Sequence, residues 1–204
     1  VDGREAEACG NATRCVAWLL MEEKRSEQVV IETLAGLLDC RRSGDALVSC
    51  DRGPLCDGWQ DIPLSRDVDT GRIDVGIPVL GEGVATSLGN PHVVFFVDDL
   101  SRVDLPAVAP VIQRDALFPE GVNVGVCRVR GPRTLELAVF ERGAGLTMAC
   151  GSGACAAVHA ARRRKLIDTN DVQVDLPGGA LEIRIDDGRA IMTGPIAYAF
   201  EGVF

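Results

Sequence analysis

The sequence predicts an α+β fold made of two similar halves, each with a helix packed on an antiparallel sheet. The first observation is a repeated step, because Cys9-Gly10-Asn11 and Cys150-Gly151-Ser152 each follow an alanine and open an amphipathic helix, with an offset of 150 − 9 = 141 residues. The second observation is that short β-branched segments, separated by glycine turns, surround both helices. A repeat of this kind favours two α+β units of the same design.

The first half of the chain is predicted to be one helix followed by three strands. Apolar residues spaced along 10–23 give that helix a single buried face, and a run of charges marks its end. Three β-rich segments with short turns between them predict an antiparallel meander over 28–34, 36–41 and 46–51. The segment 52–65 contains Pro and Gly and little pattern, which favours a crossing between domains there.

The second half is predicted to hold a longer run of strands around two helices. Strand patterns occupy 72–79, 83–88 and 93–97, and a helix with proline in its first turn is predicted over 105–114. The Gly89-Asn90-Pro91-His92 segment reads as a turn. Strands over 123–130 and 134–141 precede the second Cys-Gly step, and strands over 172–176, 180–185 and 190–193 are expected to complete a second sheet.

Composition limits the classes of function that fit this chain. With 204 residues and 47% hydrophobic content, the chain can bury a real core without disulfides. A net charge of −9 argues against nucleic acid as a partner, and no apolar run reaches the ~20 residues of a membrane span. The 8 cysteines lie mostly within strand and helix patterns and lack zinc-like spacing, so we expect reduced thiols, a cytoplasmic protein and no metal.

The chemistry of the repeated step follows from a thiol at a helix N-terminus, an end that binds anions and favours thiolate. If the halves face each other, Cys9 and Cys150 can point into one cleft. A carbon acid held between them could lose a proton to one thiol and gain one from the other, which inverts its configuration. The helix dipole contributes only about 2 kcal/mol, so each thiol needs a base partner. His92 and Glu141 are the candidates, and a carboxylate would accept the thiol proton or hold it in place.

Four motifs, in order along the whole chain, resemble those of the diaminopimelate epimerase family. They are Cys9-Gly10-Asn11, Gly89-Asn90-Pro91-His92, Glu141-Arg142-Gly143-Ala144-Gly145 and Cys150-Gly151-Ser152-Gly153-Ala154-Cys155. The resemblance implies an α+β fold of two pseudo-symmetric domains, each an antiparallel β-sheet or barrel wrapped on a central helix, with the active site in the cleft between them. It also implies epimerisation of LL- and meso-2,6-diaminopimelate without a cofactor, in lysine and peptidoglycan synthesis.

The resemblance assigns roles to residues of these motifs. Cys9 and Cys150 would be the two acid/base thiols, with His92 assisting the first and Glu141 the second. Polar residues would hold the distal amino-acid end of the substrate, namely Asn90, Asn123, Glu141 and Arg142. The reacting carboxylate would be bound by Gly10, Asn11, Gly151 and Ser152.

Members of that family begin with further strands and a helix before the first Cys-Gly step. Residues 1–52, together with 196–204, are therefore predicted to be the remainder of an N-terminal domain, and 53–195 the C-terminal domain. We expect a chain shortened in this way to be inactive alone and poorly stable in its first half. The expected partner is a small amino-acid substrate, and a homodimer is left open.

Three other interpretations of the sequence remain open. A racemase of the same architecture could act on proline or hydroxyproline, although such enzymes usually carry His where this chain has Asn11. Cys9, Cys15, Cys150 and Cys155 could instead form a redox or metal-binding module, and a non-catalytic fragment could bind a partner. At single positions, Cys15 and Cys155 read as core residues, His159 as structural, and Arg142 as an ion-pair partner of Asp98 or Asp99.

Overall fold

A computed structural model describes residues 9–34, 36–199 and 202 of the chain. The first helix, α1, covers Gly10–Lys24, and three strands follow it as predicted: β1 over Gln28–Thr33, β2 over Gly36–Gly44 and β3 over Leu47–Pro54. Helix α1 ends where Arg25 takes a left-handed conformation and its N–H bonds back to the last turn. The meander is antiparallel throughout, as its short turns require.

The middle of the chain supplies most of the remaining strands and one short helix. These elements are β4 (Ile73–Asp74), β5 (Glu82–Ser87), β6 (Pro91–Phe96), a 3₁₀ turn (Leu100–Arg102), α2 (Leu105–Gln113), β7 (Asn123–Gly131), β8 (Thr134–Glu141) and β9 (Gly145–Thr147). The strand predicted over 72–79 was wrong in length, since only two residues pair with β5. The predicted Gly-Asn-Pro-His turn is half strand, because β6 already begins at Pro91.

The last part repeats the pattern of the first. Helix α3 covers Gly151–Arg163, and it is followed by β10 (Asp171–Leu176), β11 (Gly179–Asp186) and β12 (Arg189–Pro195). The two hairpin turns predicted between these strands are present, and the strands pair antiparallel in chain order. Helix α3 starts directly after Cys150, so the small residues that follow the thiol form its first turn.

The strands of the described residues join into one sheet, whereas the sequence predicted a second, separate one. The order is β1-β2-β3-β12-β11-β10-β8-β7-β6-β5-β4, with β9 attached to β8. Its two ends do not pair, so the sheet is open and the barrel form of the prediction does not apply. Two neighbouring pairs, β6 with β7 and β8 with β10, run parallel, because the chain between them crosses over through a helix.

The internal repeat is visible in the order and spacing of these elements. Helix α1 with β1, β2 and β3 corresponds to α3 with β10, β11 and β12, and the paired elements start 141, 143, 143 and 142 residues apart (10 and 151, 28 and 171, 36 and 179, 47 and 189). The last strands of the two units, β3 and β12, pair antiparallel with each other. With the offset of 142 residues between β3 and β12, Cys50 and Met192 are equivalent positions of the repeat. The same two residues are also register partners in the sheet. A pseudo-two-fold axis therefore passes between them.

The two repeated helices differ in how deeply they are buried. Around α3, small residues are buried on every side of the helix, which makes it the central helix of the larger core: Ala154, Cys155, Ala156, Ala157, Val158, Ala160 and Ala161. Helix α1 packs Ala17 and Met21 onto the meander, while Val16 and Leu19 remain exposed. A third core lies between α2 and the strands β5 to β7.

A polar cluster fixes the segment after β3 to the central helix. Asp57 accepts hydrogen bonds from His159 Nε2 at 2.9 Å and from Arg163 Nη1 at 3.0 Å. Both donors lie on α3, so the cluster ties the weakly patterned stretch predicted over 52–65 to the larger core. It also gives His159 a structural role.

The predicted boundary between the domains, at position 52, lies within a continuous sheet. Strand β3 runs across position 52, and the backbone N–H of Ile196 donates to the Ala46 carbonyl at 2.9 Å, so the chain after β12 does return to the first meander. The end of that return segment, at 200–201 and 203–204, lies outside the described residues, as do residues 1–8. The division at 52 stays a prediction. Within the described ranges, no helix is long and apolar enough to cross a membrane.

Candidate active site

The two repeated helices each begin on a cysteine. Cys9 is the N-cap of α1 and Cys150 the N-cap of α3, both with extended backbone. The Cys150 Sγ accepts the N–H of Gly153 at 3.4 Å, so this thiol faces the free amides of its own helix. Cys9 makes no such side-chain cap and is exposed, whereas Cys150 is 5% exposed. The two thiols therefore occupy equivalent positions in unequal surroundings.

The two helix starts meet at their glycines. A Cβ atom built on Gly151 would lie 3.9 Å from the Gly10 Cα, which is an ordinary contact distance. The same Cβ would lie 2.6 Å from Met192 Sδ, and one built on Gly10 would lie 2.9 Å from Met192 Cε. A side chain at either position would therefore require the end of Met192 to move, so the two glycines leave room for Met192 below the helix starts.

The surroundings of Cys150 come from two neighbouring segments. Ser152 lies in the first turn of α3, with its hydroxyl 3.6 Å from the Cys150 Sγ. Glu141 ends β8 and pairs across a tight turn with β9, which brings the Thr147 hydroxyl to 2.6 Å from Glu141 Oε1. Besides burial, the negative charge of the same carboxylate acts on the Cys150 thiol and raises its pKa. The prediction that Glu141 lies beside Cys150 therefore has a geometric basis in the β8–β9 hairpin.

A chain of polar side chains continues from Ser152 into β6. Asn90 Nδ2 donates to Ser152 Oγ at 3.3 Å, and Asn90 Oδ1 lies 3.3 Å from His92 Nε2. An amide oxygen can only accept, so this contact is a hydrogen bond in the tautomer that carries its proton on His92 Nε2. His92 is 1% exposed, and its described hydrogen bond leads towards Cys150 rather than Cys9. Its predicted assistance to Cys9 stays a prediction.

Asn123 and Arg142 form a second part of the predicted site. Asn123 donates from Nδ2 to the Pro91 carbonyl at 2.9 Å and accepts the Arg142 N–H at 2.9 Å. Its amide is therefore occupied within the protein and holds the turn after Glu141 in place. Arg142 extends its guanidinium to the Glu120 carbonyl, at 2.9 Å, and no ion pair joins it to Asp98 or Asp99 among the described residues.

Comparison with known proteins identifies the family. The model of the diaminopimelate epimerase family matches residues 84–199. A diaminopimelate epimerase from Methylocella silvestris is 45% identical over 208 residues, covering 98% of this chain and 71% of that protein. The enzyme of the same name from Phenylobacterium zucineum is 48% identical over 206 residues, covering 98% and 74%. The chain belongs to the diaminopimelate epimerase family.

Solved structures show that the fold of this diaminopimelate epimerase family member is shared more widely. A PhzF-family phenazine biosynthesis protein from Enterococcus faecalis has a TM-score of 0.65 at 17% identity, covering 94% of this chain and 71% of that one. A probable proline racemase from Agrobacterium radiobacter K84 has a TM-score of 0.66 at 14% identity, covering 96% and 67%. At identities this low, the TM-scores establish a shared backbone fold alone.

Burial and a neighbouring carboxylate keep Cys150 protonated in the free protein. Burial is the largest cause that raises the pKa of Cys150, to about 12, and the negative charge of Glu141 raises it further. Hydrogen bonds from Ser152 and the Gly153 N–H act in the opposite direction but are smaller. The helix N-terminus does not by itself produce a thiolate here. For Cys150 to act as a base, a second group would have to take its proton.

The buried histidine gives a testable pH dependence of stability. Burial, aided by the positive charge of Arg142, lowers the pKa of His92 to about 3, whereas an unfolded His titrates near ~6.5. Below about pH 6.5 the unfolded chain binds a proton at this histidine, whereas the folded chain does not. Stability should therefore fall as pH drops from 6.5 towards 5, by up to about 1.4 kcal/mol per unit. Urea unfolding at several pH values measures this slope.

Two histidine variants separate this effect from general acid sensitivity. His92→Gln should abolish the slope between pH 6.5 and 5, because glutamine does not titrate. His159→Gln replaces the other histidine, which is bonded to Asp57, and should keep the slope. Equal slopes in the wild type and in His92→Gln would contradict a neutral buried His92.

Sequence reasoning missed residues that lie beneath the two helix starts. Arg14 is 6% exposed in the first turns of α1, donates to Asn11 Oδ1 at 3.1 Å, and places Nη1 3.6 Å from Met192 Sδ. Arg52 reaches the same place, with its Cζ 3.6 Å from a Cβ built on Gly10. A positive charge near a helix N-terminus is unfavourable to the helix, and that conflict was the available signal for Arg14. In the described part of the chain, no three His, Cys, Asp or Glu side chains gather as a metal site would need.

Proposed function

We propose that the protein is a cofactor-independent epimerase that interconverts LL- and meso-2,6-diaminopimelate by proton transfer between Cys9 and Cys150. The observation that carries this proposal is that two equivalent cysteine-capped helix starts lie next to each other, with a Cβ built on Gly151 only 3.9 Å from the Gly10 Cα. The names of the relatives supply the substrate. The reaction belongs to lysine and peptidoglycan synthesis, and the protein would act in the cytoplasm.

Each step of the reaction moves one proton. One cysteine, as thiolate, removes the α-proton of the substrate and becomes a thiol, leaving a carbanion or enolate. The other cysteine, as thiol, donates its proton to the opposite face of the same carbon and becomes the thiolate. Free amides at the starts of α1 and α3 lie where the reacting carboxylate would bind, and they stabilise the charge that develops on it.

The groups around Cys150 fit a role in proton handling. In the free protein burial and the charge of Glu141 keep the thiol protonated, so it is ready to act as the donor. When Cys150 must act as the base, Glu141, whose charge acts on the thiol, would accept its proton. Asn90 and Ser152 form a bonded pair beside the thiol and present polar groups to a bound amino acid. Arg142, held by Asn123 and Glu120, supports recognition of the distal carboxylate of the substrate.

Deuterium incorporation tests the proposed function. The whole encoded protein is incubated with LL-diaminopimelate in deuterated water, and product and recovered substrate are separated early in the reaction. Because the donor thiol has exchanged with solvent, the meso product should carry deuterium at the inverted carbon, while recovered substrate stays unlabelled. A protein that gives no labelled product under these conditions does not perform this reaction.

A proline or hydroxyproline racemase is the competing enzyme of the same fold. The probable proline racemase shares the architecture at 14% identity, and a hydroxyproline epimerase from Agrobacterium vitis shares it at 15%. The site residues favour a longer substrate, because Asn11 follows the first Cys-Gly step and Glu141-Arg142 offers a charged pair for a second amino-acid end. Proline in place of diaminopimelate should give no inversion, and turnover of proline would reverse the assignment.

A further inference from the structure

Met192 lies where the two halves of the site meet. It belongs to β12, is 0% exposed, and pairs with Cys50 of β3 at the pseudo-two-fold axis. Its Cε is 2.9 Å from a Cβ built on Gly10, and its Sδ is 2.6 Å from one built on Gly151. One side chain thus fills the space below both cysteine-capped helix starts.

The position of the Met192 sulfur is fixed from a third direction. Arg14 Nη1 is 3.6 Å from Met192 Sδ, and Arg14 Nη2 donates to Asn11 at 3.1 Å. Gly194 makes room for this arginine, since a Cβ there would be 3.0 Å from the Arg14 Cζ. The thioether is therefore in contact with α1, α3 and a buried guanidinium, and it has little freedom to move.

We propose that Met192 is a positioning residue that sets the separation of Cys9 and Cys150 by supporting both helix starts at once. The inference rests on the two-thiol reaction proposed above. Inversion requires that a donor wait on the face opposite the base, within proton-transfer distance of the same carbon. A displacement of about 1 Å at such a site can cost about 100-fold in rate. Met192 touches the helix starts and not the substrate, so it acts through them.

Loss of this support changes the fate of the carbanion. In the wild type the opposite thiol protonates the carbanion at once, and recovered substrate carries little deuterium. When the helix starts separate, the first thiol still removes a proton, but the opposite thiol is too far away to donate. The first thiol then exchanges its proton with solvent and returns deuterium to the same face. The substrate becomes labelled without inversion.

The experiment compares Met192→Ala with Met192→Leu and with Met21→Ala in deuterated water. Met21 provides a matched control, because it is also 0% exposed but lies in the α1 core. Met192→Ala should lower kcat by about 10- to 100-fold with little change in KM, and raise the ratio of substrate labelling to inversion several-fold. Met192→Leu, which keeps most of the volume, should lie between it and the wild type. Met21→Ala should keep the wild-type ratio.

A double variant tests whether the contact is with the helix start itself. Gly151→Ala should reduce kcat strongly, because its new methyl group clashes with the Met192 sulfur. Adding Met192→Ala removes the clash, so Gly151→Ala/Met192→Ala should recover at least about tenfold of that loss, and the two effects should not be additive.

The results distinguish this inference from the proposed function. If the wild-type protein forms no labelled product, the proposed two-thiol reaction itself is excluded. A normal wild type together with unchanged labelling ratios in both Met192→Leu and a folded Met192→Ala overturns the positioning role alone. If Met192→Ala does not fold, the labelling ratio of Met192→Leu decides, and a wild-type value there overturns the role.

Discussion

Cys150→Ala is expected to abolish inversion in both directions while the protein continues to exchange the α-proton of one epimer. In the proposed reaction each thiol faces one side of the bound carbon, so each epimer would present its α-proton to only one of them. Without Cys150, Cys9 can still deprotonate the epimer that faces it, but nothing on the opposite side can donate. The carbanion then returns to the starting configuration. We expect inversion to fall by at least about 10³-fold, in the range of general acid–base catalysis.

Cys9→Ala should give the mirror image of this result. The epimer that still exchanges in one variant should be silent in the other, and neither variant should produce inverted product. Deuterium wash-in, followed separately for LL- and meso-diaminopimelate by NMR or mass spectrometry, measures all four rates. Exchange of the same epimer in both variants would contradict the assignment of one thiol to each face.

Cys155→Ala is the matched control for Cys150→Ala. Both thiols lie on α3, but Cys155 is 0% exposed within the helix, and burial raises its pKa to about 12. It packs in the core and has no position at the helix start. Removing its sulfur should leave both the inversion rate and the exchange rates within about twofold of the wild type. Circular dichroism of the variants confirms that helix α3 is intact.

The helices and the two thiols could be predicted from the sequence because their signals are local. Cys9 and Cys150 stand at equivalent helix starts, and a match of five residues at each was enough to suggest the repeat. Helix periodicity and turn residues then placed the meander strands to within a few residues. Short-range patterns carry this information directly, since hydrogen bonds within helices and hairpins join residues close in the chain.

The joining of the halves could not be predicted in the same way. The pairing of β3 with β12 connects residues about 140 positions apart, such as Cys50 and Met192, and nothing in either strand specifies its partner. The parallel pairing of β6 with β7 also joins segments that are distant in the chain, and neither strand specifies its partner. No local pattern singles out Met192, although the sheet places it below both helix starts. Its role depends on tertiary contacts alone.

Glu141 could be suspected from the sequence but its geometry could not. Nine positions separate it from Cys150, and the short strand β9 that folds the chain back between them was not predicted. The hydrogen bond from Thr147 to the carboxylate, and the effect of the carboxylate's charge on the pKa of Cys150, both depend on that hairpin. The carboxylate is thus fixed by Thr147 at a position where its charge acts on Cys150.

Glu141→Gln is expected to lower turnover by about 10²- to 10³-fold while lowering the pKa of Cys150. Glutamine keeps the shape of the side chain and can still accept a bond from Thr147, but it has no charge and cannot take a proton. Burial remains the largest cause of the raised pKa, so the thiol should titrate below about 12 but not at its unperturbed value. An easier ionisation with a slower reaction would show that Glu141 acts by accepting the proton.

The pH dependence of kcat in Glu141→Gln tests whether the carboxylate accepts the Cys150 proton. In Glu141→Gln the proton of Cys150 must leave to solvent, so kcat should rise with pH over the range where the thiol begins to ionise, and part of the loss should be recovered. ¹³C NMR of the Cys150 Cβ, assigned with Cys150→Ser, follows the ionisation directly. Glu136→Gln provides the matched control, because this carboxylate lies on the same strand and is paired with Arg130. It should alter neither kcat nor the titration, whereas an upward shift of the Cys150 pKa in Glu141→Gln would exclude the proposed role of the carboxylate.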